Sequence, residues 1–346
     1  MKNAKKVSAR LRLLAALLGI LLLSAAFSGC GKKEKPFELP VRNALDETRT
    51  YGYYDYVLYD TGDAALVAYA GNESSVTVPA EVDGHPVVTL GEGLFGDHSE
   101  IRSIRLPDGL EVVSDFCFYG CSALTDLGYG KKLWSIGVKA LDGTAWMAAQ
   151  SGDFVTINGT LVEYHGQMKA VVVPEEIRHI GGGAFSMNND VLSVELAENT
   201  YTVGAQAFAF CGSLVSVSFG SALLSIGQSA FGGCENLKMI DLPATTQIIG
   251  VNAFTDCYNL HYACLGSSLT EIGDGAFYYC QRLTTVCLPD TLEELHTTVF
   301  EDCFSFSLVL YGGSAERFAS VTVNDDNYVY DWTKLNVLYN CDFEGR

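Results

Sequence analysis

Thiols, imidazoles and carboxylates are the groups with which this 346-residue chain could do chemistry, and it carries 11 Cys, 6 His and 41 Asp and Glu. Cysteine-rich exported chains suggest disulfides, and clustered cysteines suggest a metal. The spacing here argues for neither. Cys211, Cys234, Cys257, Cys280 and Cys303 follow one another at steps of 23 residues, and Cys121 holds the equivalent place in its own repeat. No Cys-x-x-Cys pair occurs. The histidines (His85, His98, His165, His179, His261, His296) are scattered, with no His-Glu-x-x-His zinc pair. A Gly-x-Ser-x-Gly elbow and a phosphate-cradling glycine loop are also missing from the sequence. Asp60-Thr61-Gly62-Asp63 and Asn324-Asp325-Asp326-Asn327 offer oxygen donors, but neither completes a calcium loop, and both read as turns. The residues therefore name no catalytic group, no metal and no cofactor.

What positions the cysteines is a repeat. Phe185, Phe208, Phe231, Phe254, Phe277 and Phe300 stand 23 residues apart, and Phe95, Phe118 and Leu141 keep the same step upstream. Each cysteine of the series follows its key aromatic by three residues. The clearest copy runs from Ile226-Gly227 through Ala230-Phe231 and Cys234 to Leu237, then Ile240-Asp241-Leu242-Pro243. Its last part alternates apolar and polar residues, as a half-buried strand does. Proline then ends the strand, because it has no N–H for the ladder. The glycine after Ile226, Ile249 and Ile272 suits a backbone corner. One such unit cannot bury its own apolar face, so the units must stack into a solenoid. The cysteines then form one buried column, where a thiol behaves as a small hydrophobe with a weak donor. Cys117, in the small position before Phe118, joins the core.

The unit I-G-x-x-A-F-x-x-C-x-x-L-x-x-V-x-L-P resembles the leucine-rich repeats of the BspA-like surface-protein family over residues 50–310. The resemblance implies a mainly β leucine-rich-repeat solenoid, a place on the cell surface, and binding or adhesion rather than catalysis. At about 4.8 Å per coil, nine or ten coils predict a rod of roughly 45 Å.

Residues 1–29 read as a lipoprotein signal peptide. Lys2, Lys5, Lys6, Arg10 and Arg12 precede an apolar stretch from Leu13 to Phe27, and Ser28-Gly29 leads to Cys30. Such signals, which this stretch resembles, imply that Cys30 becomes the first mature residue and carries lipid. The expected address is thus the bacterial cell envelope, with the chain held to the membrane by its acyl groups. Net charge is −19, and the body after residue 35 carries 14 basic against 40 acidic residues. That balance argues against a nucleic-acid partner.

Residues 30–49 read as a tether and linker, 50–90 as an N-terminal β-hairpin cap, 91–310 as the solenoid and 311–346 as a C-terminal cap. Within the solenoid, 142–183 break the pattern, and Asn158-Gly159 between two alternating runs signals a protruding hairpin in place of one coil. Outward strand positions fall eight and ten residues after each key aromatic. Arg105, Glu195, Met239, Asp241 and Tyr262 are the candidate ligand contacts among them, provided the strand sheet is the concave face. Cys264 and Cys287 also point outward one period apart, close to disulfide range but with imperfect geometry. The expected partner is an extracellular protein. The alternatives are a glycan, for which Tyr51, Tyr53, Tyr54 and Tyr56 form an aromatic platform, and a plain envelope spacer.

Overall fold

The computed structural model describes residues 37–324 and 335–342. The signal peptide, Cys30 and the turn Asp325-Asp326-Asn327 lie outside the described residues.

From Leu39 onward the chain is a mainly β solenoid with two strand ladders along it. The long ladder is built from the L-x-x-V-x-L part of each repeat. It has eleven rungs among the described residues, in sheets of three, three and five strands, where nine or ten were expected. Every rung is parallel and in register: Met239 faces Tyr262, Tyr262 faces Thr285, and Thr285 faces Leu308. A second, shorter ladder comes from the residues before the repeat glycine, where Ser225–Ile226 pairs with Ile248–Ile249 and that with Glu271–Ile272. The third side is a turn corner that holds the Ala-Phe-x-x-Cys segment.

The key phenylalanines are fully buried and stack like coins. Phe208 and Phe231 lie 4.9 Å apart at 3°, and Phe231 and Phe254 5.2 Å apart at 5°. The cysteine column is also as expected. Each thiol donates to the carbonyl of the preceding coil's phenylalanine, at 3.1 Å from Cys234 to Phe208 and 3.3 Å from Cys257 to Phe231.

The repeat glycine has a different role from the expected one. It does not turn the chain by positive φ; it lets two coils touch. A Cβ on Gly227 would lie 2.6 Å from the amide nitrogen of Ala205, and one on Gly273 2.4 Å from that of Val251. Positive φ falls instead two residues before and two after the key aromatic, as at Ser229 (50°) and Gly233 (72°) around Phe231.

At the N-terminus, β1 (Ala44–Tyr51), β2 (Tyr54–Tyr59) and β3 (Ala64–Tyr69) form an antiparallel meander. Its last strand pairs parallel with His85–Leu90 and so closes the short ladder. The stretch read as linker therefore ends in a strand, β1, which pairs with β2 and forms the end of this sheet. Arg42, just ahead of β1, pairs with Asp63 at 3.1 Å and Glu111 at 2.9 Å.

The inserted hairpin does not protrude. Its second strand, Thr160–Tyr164, enters the short ladder as a rung, with Thr160 facing His179 and Leu161 facing Ile180. Two hydrophobic cores meet there: Leu161 and Tyr164 pack with the C-terminal coils, Val155, Ile157 and Val162 with the N-terminal ones. The insertion is a splice between two half-solenoids. Beyond residue 310, a short helix (Ala315–Ala319) and a last long-ladder strand (Asn336–Leu338) follow.

Candidate ligand-binding surface

The long ladder does set its outward residues in two straight columns, but it does not treat the five candidates alike. Arg105 is engaged by its neighbour: its guanidinium donates to both carboxylate oxygens of Asp126 on the next rung, at 2.8 and 2.6 Å. That bidentate bond holds the Asp126 carboxyl below its usual range. Glu195 and Asp241 are exposed on separate sheets. Met239 is 41% exposed and lies beside Tyr262 in register. The Tyr262 hydroxyl contacts the Cys287 sulfur at 3.1 Å, and its ring packs on an outer cluster of Cys264, Cys287 and Leu310. Cys264 and Cys287 are register partners, yet both are buried thiols with no disulfide between them. Side-by-side parallel strands point both sulfurs the same way, which is why adjacency alone does not bridge them.

A depression of about 450 Å³ runs over the short ladder, with Ser135, Thr202, Ser225 and the repeat glycines along it. Trp134, His179 and Tyr201 form an aromatic row at its side, with ring centres 5.4 and 5.8 Å apart. His179 is buried and contacts the Thr202 hydroxyl through Nδ1 at 3.0 Å. Burial, helped by nearby Arg178, pulls its pKa down to about 4. The imidazole is therefore neutral at ordinary pH and serves packing.

The tyrosine platform of the N-terminal hairpin is divided. Tyr54 and Tyr56 point into the core, where Tyr54 packs against Phe95 and the Tyr56 hydroxyl donates to Asp83 at 2.6 Å. Only Tyr51 and Tyr53 face out, at 43% and 58% exposure. Alternation along β2 turns Tyr54 and Tyr56 to the same inner face, while Tyr53 sits in the turn before it and Tyr51 at the end of β1.

What the sequence reading missed is on the turn corner. The position two after the key aromatic has φ between 57° and 75° in every coil from Asp97 to Asp302. This left-handed backbone aims the N–H at the next coil, as from Phe210 to the Gly232 carbonyl at 2.7 Å. Six coils fill the position with the residues it favours: Gly120, Gly143, Gly233, Asp97, Asp256 and Asp302. Three coils hold Met187, Phe210 and Tyr279 there instead. A bulky side chain in this region costs on the order of 1–2 kcal/mol. Met187 and Phe210 are 66% and 60% exposed, so burial in their own fold does not offset that cost. Comparing the coils at this one position would have revealed them. Among the described residues, no group of three or more His, Cys, Asp or Glu side chains converges as a metal site would require.

Stacked parallel rungs with glycine-spaced coils and a buried aromatic column define a leucine-rich-repeat solenoid. The family model described as BspA type leucine rich repeat region matches residues 88–201 and 178–307 in six copies, and the chain belongs to that family. Among solved structures, a leucine-rich repeat protein from Bacteroides ovatus is 25% identical, with a TM-score of 0.39 over 69% of this chain and 66% of its own. A leucine rich cell surface protein from Faecalibacterium prausnitzii is 17% identical, with a TM-score of 0.33 over 81% and 99%. The pneumococcal vaccine antigen PcpA is 14% identical, with a TM-score of 0.47 over 86% and 99%. No curated protein matches the chain.

Proposed function

We propose that this chain is a non-catalytic, lipid-anchored leucine-rich-repeat protein of the bacterial cell surface that binds a protein ligand in adhesion. The observation that carries the reading is the set of Met187 and Phe210, both exposed, and half-buried Tyr279, in left-handed positions that sister coils give to Gly or Asp. Backbone strain clusters at functional sites, and apolar side chains exposed in successive coils, as Met187 and Phe210 are, favour a contact surface. Met239 and Tyr262 on the long ladder would add anchors, and Glu195 and Asp241 polar rim contacts. Arg105, already held by Asp126, would contribute least. Cys30 would carry the lipid that keeps the solenoid at the surface.

The test is adhesion of cells displaying the full chain to immobilised extracellular matrix proteins. The expected result is adhesion that falls at least tenfold when Met187 and Phe210 are both changed to Gly. Correctly displayed, folded chain that adheres to no protein surface would overturn the reading. A Cys30→Ala chain still fractionating with membranes would overturn the anchor.

A further inference from the structure

The left-handed corner column becomes chemically specific in the C-terminal coils. Asp256, Tyr279 and Asp302 occupy the same position in three successive coils, with φ of 57°, 61° and 57°. Tyr279 is thus bracketed by a carboxylate one coil away on each side. Three more rings surround it: Tyr278 at 5.7 Å, Tyr258 at 5.8 Å and Phe304 at 6.3 Å between ring centres. Phe304 is 71% exposed, although nothing in its coil requires an aromatic there. Asp256 faces the Tyr258 phenol and Asp302 the Tyr278 phenol; after desolvation, these carboxylates are the chief cause that raises both phenols. Within the corner segments 228–236, 251–259, 274–282 and 297–305 there are five carboxylates and one guanidinium, Arg282.

An aromatic face bordered by half-buried carboxylates suits one kind of group. A guanidinium stacks on an aromatic ring while its fork of donors meets carboxylates, and an ammonium does the same as a point charge. The partner must also approach a body whose net charge repels anything acidic. We propose that the column Asp256–Tyr279–Asp302, with Tyr258, Tyr278 and Phe304, is a docking site for an arginine- or lysine-rich segment of a partner protein. This rests on the protein-binding reading above and adds the chemistry of the partner.

The experiment uses the purified full chain in non-ionic detergent and three fluorescent probes: an arginine–serine repeat peptide, the same peptide with glutamine for arginine, and a neutral oligosaccharide. The expected result is binding of the arginine peptide alone. Tyr279→Gly should weaken it at least tenfold, and Asp302→Asn several-fold. Tyr279→Gly introduces the residue that three sister coils already carry, so circular dichroism and melting should show an intact fold. Equal affinity in Tyr279→Gly and Phe304→Ser variants would overturn the site, since bulk charge would then explain the binding. Absence of arginine-peptide binding, or oligosaccharide binding that depends on Tyr279, would also overturn it. Cells that adhere to matrix protein while the arginine peptide fails to bind would refute this site and leave the adhesion reading standing.

Discussion

The Cys234 thiol donates to the carbonyl of Phe208, one coil back, at 3.1 Å, while Phe208 stacks on Phe231 at 4.9 Å. The cysteine therefore closes the corner that the aromatic fills, and the two columns are one structural device. Burial raises its pKa well above the ordinary range, and it pushes Cys121 up to about 11 and Cys211 to about 12. A group whose folded pKa is raised contributes stability below its unfolded value, about 8.5 for a thiol, and loses it as pH climbs through the folded value. Melting temperature should hold steady from pH 7 to 8.5 and fall from about pH 9 to 12. At pH 8, alkylation of these thiols read by mass spectrometry should be at least about 100-fold slower than in denatured chain, because the thiolate is the reactive form.

The phenylalanine column tests how far the coils depend on one another. Phe231 is fully buried between Phe208 and Phe254. Phe231→Ala should cost about 3–5 kcal/mol, from lost transfer energy and the cavity left behind. Denaturant unfolding would read it. A loss below about 1 kcal/mol would mean that the coils collapse into the space.

Much of this was legible from one period. The 23-residue step of Phe185 to Phe300 gave the solenoid, the cysteine column and the outward residues of each strand. What escaped the sequence depended on relations between coils. Gly227 reads as a turn residue in isolation, and only the 2.6 Å approach to Ala205 reveals a spacing role. Asn158-Gly159 correctly marked a hairpin, but its two apolar faces gave no sign that both would be covered. The candidate contacts followed strand alternation, which cannot show that Arg105 is tied to Asp126. Phe210 looked like an ordinary repeat residue until its backbone angle was known.

Coil spacing gives a paired prediction. Gly227→Ala places a methyl group against the Ala205 backbone and should cost about 2–3 kcal/mol. Gly109 has no atom within 4 Å of a built Cβ, so Gly109→Ala should change stability by less than about 0.5 kcal/mol. Equal changes in the two variants would show that contact between coils does not set these glycines, since the entropy effect of Gly→Ala is shared and favours the folded chain.

Acid sensitivity should trace to His179. Its pKa is lowered to about 4 by burial and by Arg178. A depressed folded pKa contributes stability above the unfolded value, about 6.5, and loses it as pH falls toward 4. Up to about 3 kcal/mol is at stake, spread over that window. Melting curves at pH 7, 6, 5 and 4 should show a steeper decline in the parent chain than in His179→Gln. Parallel curves would place the acid response on the carboxylates instead.

The exposed corner residues offer a test of strain separate from binding. Met187 sits at φ 62° and is 66% exposed, where three sister coils carry Gly. Relief of the left-handed conformation is worth about 1–2 kcal/mol, against roughly 0.5–1 kcal/mol of added unfolded-chain entropy for glycine. Met187→Gly should therefore stabilise the chain by about 0.5–1 kcal/mol in denaturant titration. The same substitution should weaken adhesion, so that stability and binding move in opposite directions. If stability drops instead, Met187 packs usefully against its own corner, and its retention has a structural cause.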